Sequence, residues 1–263
     1  MNVSVLQLDT RWEDKPANFA RVRAMVEQAR LPARSMLLLP EMFATGFSMN
    51  VSTICEPDGG ATEIFLSALA KEFQIYLTGG VVKLSKDGSK GLNQSVTFGP
   101  DGNVMNRYSK IHPFTFGTES KYYVGGNEIC TFDVEALTVC PFVCYDLRFP
   151  EIFRDATSRG ATLFTVIANW PAAREHHWLT LLQARAIENQ AYVAGVNRCG
   201  TDPNVTYSGR SVIVDPRGNI ITDAGVNEGI ATASLDAEAQ RTYRKDFPAL
   251  KDMRWSFEAR RPS

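Results

Sequence analysis

Residues 139–154 read VCPFVCYDLRFPEIFR, and the rest of the chain is arranged around them. The apolar run Leu137–Val143 predicts a buried strand. Phe149-Pro150-Glu151 predicts a helix start, since proline suits a first helical position and a carboxylate suits the positive helix end. Cys144 lies between strand and helix. A thiol on such a turn stands at a sheet edge near a helix dipole that favours the thiolate, the sulfur counterpart of a serine nucleophile elbow. The alternative is a small buried apolar side chain, the usual state of a free cysteine.

Strands and helices alternate on both sides of this stretch. Asn2–Asp9 reads as a strand with Val3 and Val5 on one face and Leu6 and Leu8 among the other positions, hence apolar on two sides. Phe19, Val22, Val26 and Ala29 predict an amphipathic helix over 18–30. The short run SMLLLP, Ser35–Pro40, ends at a proline, and Glu41 follows where open α/β sheets place ligands. A helix is expected over 61–73, with Ile64, Leu69 and Phe73 on its apolar side, then strands over 75–84 and 92–98. The segment SVTFGPDGNV from Ser95 is echoed by SVIVDPRGNI from Ser211, each a strand, a Pro-Gly turn and a strand. Further on, helices are expected over 151–158 and 175–190 and strands over 161–168 and 192–196. No Gly/Ser or Pro tract divides the 263 residues, so one α/β domain is expected, with a mixed sheet system and helices outside.

Composition excludes several classes of function. With 28 basic and 29 acidic residues there is no net field to attract nucleic acid or an anionic membrane. No apolar window reaches the ~18 residues a membrane span needs, and MNVSVLQLDTRW meets a charge before a signal-peptide core forms. Five cysteines, an odd number in a chain too long to need staples, point to a reducing cytoplasm.

Glu41, Lys110 and Cys144 each stand at a predicted strand end. An acid, an amine and a thiol are the set that hydrolysis of an unactivated C–N bond requires. The sulfur attacks the carbonyl carbon, the carboxylate takes the thiol proton and later delivers it to departing ammonia, and the cation with backbone N–H groups steadies the oxyanion.

Three stretches carry a resemblance: LPEMFATGF (Leu39–Phe47), RYSKIHPF (Arg107–Phe114) and VCYDLRFPE (Val143–Glu151). They resemble the signature blocks of the nitrilase, or carbon–nitrogen hydrolase, superfamily, in its order and spacing. NWPAAREHHWLTLLQARAIENQAYVAGVNRCG (Asn169–Gly200) is similar to the stand-alone bacterial ω-amidase branch. The resemblance implies Glu41 as general base, Lys110 as oxyanion cation, Cys144 as nucleophile and Glu119, in FGTESKYY, as a second glutamate orienting the lysine or the water. It also implies a four-layer α-β-β-α sandwich with mixed sheets and helices on the outer faces. The family usually dimerises through the helices after the nucleophile and after NWP. For substrate it implies a short dicarboxylate ω-monoamide, α-ketoglutaramate or α-ketosuccinamate, cleaved to the 2-oxo acid and ammonia with no cofactor and no metal.

Substrate contacts are expected from Arg174, the alternative being a surface role, from the Tyr145 backbone N–H, and from Phe47, Phe43 and Trp170 as walls, the alternative being core packing. Arg148 is a candidate for the substrate carboxylate, the alternative being an ion pair with Asp146 or Glu151. Cys55, Cys130, Cys140 and Cys199 are assigned to the core, and Cys144 is expected to be the cysteine most readily alkylated or oxidised. The charged, aromatic segment 243–263, with Arg244, Phe247, Trp255 and Phe257, would pack on a partner subunit or fray. Other readings are a hydrolase of another aliphatic amide, a nitrile or an N-carbamoyl compound on the same three groups, a metal site from Cys130, Cys140, Cys144 and His176-His177, a Cys–His hydrolase using His112, and a non-catalytic binding protein.

Overall fold

Two six-stranded sheets face each other in a computed structural model that describes residues 1–254. The first half of the chain runs β1 (Asn2–Gln7), α1 (Lys15–Ala29), β2 (Met36–Leu38), α2 (Val51–Ile54), α3 (Ala61–Phe73), β3 (Tyr76–Leu84), β4 (Gly91–Phe98), β5 (Val104–Ser109) and α4 (Glu119–Tyr122). The second runs β6 (Phe132–Val134), β7 (Leu137–Val143), α5 (Pro150–Ser158), β8 (Leu163–Ala168), α6 (Glu175–Asn189), β9 (Tyr192–Asn197), β10 (Cys199–Thr201), β11 (Thr206–Ser208), β12 (Val212–Val214) and β13 (Ile220–Asp223). Then β14 (Gly229–Ser234) and α7 (Ala237–Asp246) return to the first sheet and to the second half respectively.

The sheets are ordered β14-β1-β2-β3-β4-β5 and β13-β12-β9-β8-β7-β6. In each, three parallel strands are followed by an antiparallel hairpin, and an antiparallel strand guards the opposite edge. The echoed segments are therefore equivalent parts of two similar halves. In each hairpin the register slips by a bulge, at Thr97/Phe98 and at Ile213/Val214. Each turn is closed by the same pair of 2.9 Å bonds, Gly99 N to Asn103 O with Gly102 N to Gly99 O, and Asp215 N to Asn219 O with Gly218 N to Asp215 O. Gly102 and Gly218 take φ of +81° and +87°, a backbone region that side chains disfavour.

Strand alternation divides the core into layers. Val3 and Val5 join Met36, Leu38 and the strands of the other sheet in the inter-sheet core, whereas Leu6, Leu8, Leu37 and Leu77 pack beneath α1 and α3. Phe153, Trp178 and Leu182 bring α5 and α6 against the second sheet from outside. The result is α-β-β-α, as the resemblance implied. Asp14 caps α1 through Oδ1 to the Ala17 N–H at 3.0 Å, and Pro150 stands in the first turn of α5 as expected.

Two expectations fail. Ile64 is 63 % exposed, because the buried side of α3 is formed by Thr62, Glu63, Leu66, Leu69 and Ala70. Cys55 and Cys130 are half-buried, since they sit outside the main strands, while Cys140 and Cys199 are core residues. In the C-terminal segment, Arg244 donates to the carbonyls of Ala161, Asn189 and Gln190, closing the end of α6. Trp255 and Phe257 lie outside the described residues.

Candidate active site

The carboxyl ends of β2, β5, β7 and β8 converge between the two sheets. Glu41 follows β2, Lys110 follows β5, Cys144 follows β7 and Asn169 follows β8. Lys110 Nζ lies 3.0 Å from Glu41 Oε1 and 2.8 Å from Glu119 Oε2. Both carboxylates are fully buried and the lysine nearly so. Asn93 Nδ2 donates to Glu41 Oε1 at 2.7 Å and to Glu119 Oε1 at 3.0 Å, so one amide and one ammonium bridge the same two acids. The Phe114 N–H donates to Glu119 Oε2 at 2.5 Å, and the Asn169 N–H to Glu41 Oε2 at 2.8 Å.

Cys144 stands over this cluster with φ of +49°, at the head of a 3-10 turn that spans Cys144–Arg148. Such a conformation costs a non-glycine residue on the order of 1–3 kcal/mol and marks functional sites. The sulfur lies 3.9 Å from the Asn169 carbonyl oxygen. Burial and the Glu41 charge push the Cys144 thiol well above its ordinary value, with Lys110 pulling only partly the other way. A 3-10 turn separates Cys144 from Pro150, where α5 begins. On Lys110, burial disfavours the charge, but Glu119 and Glu41 outweigh it and raise its value well above that of a free lysine.

A cavity of about 300 Å³ opens above the sulfur. Cys144 and Lys110 reach its wall, and five of the six expected substrate contacts line it: Phe47, Tyr145, Arg148, Trp170 and Arg174. Arg148 stacks 4.7 Å over the Trp170 ring and meets His177 Nδ1 at 3.3 Å, and Arg174 stands 5.8 Å over Phe114. Among the described residues neither guanidinium is paired with a carboxylate. The ion pair considered for Arg148 is absent because Asp146 is turned inward onto His112, Tyr108 and the Val143 N–H. Phe43 is no wall. It lies in the outer core against Phe19 and Phe65.

Sequence reasoning missed Asn93, Asn169 as a ligand of Glu41, and the wall formed by Asp202, Asn204, Val205 and Tyr207. A polar side chain inside the buried strand GLNQSV was the available signal for Asn93, since such groups must be paired. The β10–β11 loop left no comparable mark. His112 holds Asp146 at 2.8 Å and stacks on Phe149 at 3.8 Å, away from the cavity wall, which removes the Cys–His reading. Among the described residues no cluster of three or more His, Cys, Asp or Glu side chains is arranged to hold a metal ion.

The profile of the carbon–nitrogen hydrolase family matches residues 2–245. This chain belongs to that family. Like several of its relatives, this carbon–nitrogen hydrolase is a near-full-length match. It is 32 % identical to the 2-oxoglutaramate amidase of Bacillus subtilis over 96 % of this chain and 97 % of that one. It is 36 % identical to the omega-amidase YafV of Escherichia coli K12, with 96 % of each chain covered. Among solved structures, the CN-hydrolase superfamily protein XC1258 of Xanthomonas campestris, which carries an arsenic adduct in its active site, superposes with a TM-score of 0.92 at 33 % identity and 97 % coverage of both chains. Nit3 of Saccharomyces cerevisiae, a branch 10 member of the nitrilase superfamily, gives 0.88 at 30 % identity, again with 97 % of each chain covered.

Proposed function

We propose that this carbon–nitrogen hydrolase is an ω-amidase that releases ammonia from short dicarboxylate monoamides, with 2-oxoglutaramate and 2-oxosuccinamate as the favoured substrates. One observation carries the reading: two guanidiniums with no carboxylate partner among the described residues, Arg148 and Arg174, stand in the wall of the cavity that holds the Cys144 sulfur. Burial lowers the Arg148 value, and the neighbouring Arg174 charge lowers it further, a repulsion that a bound carboxylate relieves. The names of the amidase relatives agree in substrate class.

Chemistry follows from the proton inventory. Glu41 accepts the Cys144 proton as sulfur attacks the amide carbon, and the new oxyanion is met by the Lys110 ammonium and the Tyr145 backbone N–H. Glu41 then returns the proton to nitrogen, ammonia leaves and a thioester remains. Water, deprotonated by Glu41, releases the acid and restores the thiol. Glu119 holds Lys110 in place. A donor of this kind contributes about 3–4 kcal/mol to the transition state.

The chain is further read as one domain acting as a cytoplasmic homodimer. Its free cysteines and the resemblance support this, and no described helix is long and apolar enough to cross a membrane. A panel of ω-amides, aliphatic nitriles and N-carbamoyl acids scored by ammonia release tests the assignment. Turnover of 2-oxoglutaramate far above the others is expected, and preference for a nitrile or carbamoyl compound would replace it.

A further inference from the structure

Asp146 is a fully buried carboxylate with four hydrogen-bond partners. Oδ1 accepts from the His112 backbone N–H at 3.0 Å and contacts His112 Nδ1 at 2.8 Å. Oδ2 accepts from the Tyr108 hydroxyl at 2.8 Å and from the Val143 N–H at 3.1 Å. Tyr108 and His112 stand two residues to either side of Lys110, and Val143 immediately precedes Cys144. Lys110 and Cys144 belong to different sheets, so their separation is set by whatever ties β5 to the end of β7.

We propose that Asp146 is a positioning residue that fixes the Lys110 ammonium relative to the Cys144 sulfur and holds the left-handed backbone at Cys144. The proposal rests on the amidase reading of the cavity. Asp146 sits inside the 3-10 turn, where its bond back to the Val143 N–H closes the loop around Cys144. Its other oxygen reaches across to the strand end that carries Lys110. His112 is pinned in turn, its ring stacked 3.8 Å over Phe149 with planes 11° apart. A carboxylate suits this post because it accepts on both oxygens, whereas an amide of the same shape accepts on one.

Asp146→Asn therefore sets a donor against either the His112 pair or the Tyr108–Val143 pair. A displacement on the order of 1 Å between reacting groups costs about 100-fold in rate. We expect kcat for 2-oxoglutaramate to fall by about that factor while KM, set by Arg148 and Arg174, stays within about threefold. The pH profile of Cys144 alkylation by iodoacetamide, read by peptide mapping, should move to higher pH, because Lys110 is the neighbour that draws the thiol downward. Burial alone moves neither the kcat-against-KM split nor this profile. Unchanged kcat and an unshifted profile in folded Asp146→Asn overturn the proposal. If Asp146→Asn does not fold, the double variant Tyr108→Phe/His112→Ala removes two of the four bonds. Loss of kcat with an upward profile shift supports the proposal, and wild-type behaviour in both overturns it. The alkylation arm needs no amide, so a wild-type enzyme that hydrolysed none would end the amidase reading while still testing the positioning role.

Discussion

Asn169, at the end of a strand in the second sheet, holds Glu41 of the first sheet through its backbone N–H to Oε2 at 2.8 Å and its Nδ2 to the Glu41 carbonyl at 2.7 Å. A second, longer contact joins Nδ2 to Oε2 at 3.3 Å. The carboxylate proposed to move the protons is thus aimed from across the inter-sheet seam. Asn169→Ala keeps the backbone donor and removes the side-chain ones. The expected result is a fall in kcat of about 10–100-fold with KM little changed, measured by steady-state ammonia release. A rise in KM alone would make Asn169 a substrate contact instead.

Arg174→Ala should separate anionic from neutral substrates. A hydrogen bond to a charged group is worth about 1.5–3 kcal/mol, so kcat/KM for 2-oxoglutaramate should fall by about 10–100-fold. Hydrolysis of a neutral aliphatic amide should change far less. An equal loss on both would assign Arg174 to the architecture of the wall, where its carbonyl accepts from Trp170 Nε1 at 2.8 Å.

The titration of Cys144 should respond to Glu41 in an opposite sense to activity. A nearby anion disfavours thiolate, and Glu41 is the first charged neighbour raising the Cys144 value. Glu41→Gln removes that anion and leaves Lys110, so the alkylation midpoint of Cys144 should move to lower pH. Turnover should nevertheless collapse, because the group that accepts the thiol proton is gone. A midpoint that rose, or stayed fixed, would contradict the account of the buried charges.

Lys110→Met leaves Glu41 and Glu119 buried without their shared cation. Removing one partner of a buried pair typically costs about 3–5 kcal/mol, and chemical denaturation at pH 7 should register a loss of that order. A near-neutral result would mean that the cluster takes up a proton in place of the lysine.

Much of this architecture could be read from local patterns. Val3, Val5, Leu6 and Leu8 reported a strand buried on two sides, and the two Pro-Gly hairpins proved to be equivalent parts of two halves. Glu41 and Cys144 were singled out because each follows a strand whose apolar run is plain, whereas Lys110 follows the largely polar β5 and was marked by the resemblance of RYSKIHPF. A dipole inferred from Pro150 carried no knowledge of the intervening 3-10 turn or of the Glu41 charge that acts on the Cys144 thiol. Ile64 misled for a related reason: an apolar residue on a helix does not say which face the sheet will take. Edge strands β6, β10, β11 and β14 are short or half-exposed, so their residues lack the apolar alternation that marks a strand. The β10–β11 segment still supplies part of the cavity wall.

The most direct measurement is mass spectrometry of enzyme quenched during turnover of 2-oxoglutaramate, with peptide mapping of the acyl group. The account predicts an acyl adduct on the peptide bearing Cys144, lost in Cys144→Ala together with ammonia release. An adduct on another residue, or a Cys144→Ala enzyme that releases ammonia at the wild-type rate, would contradict it.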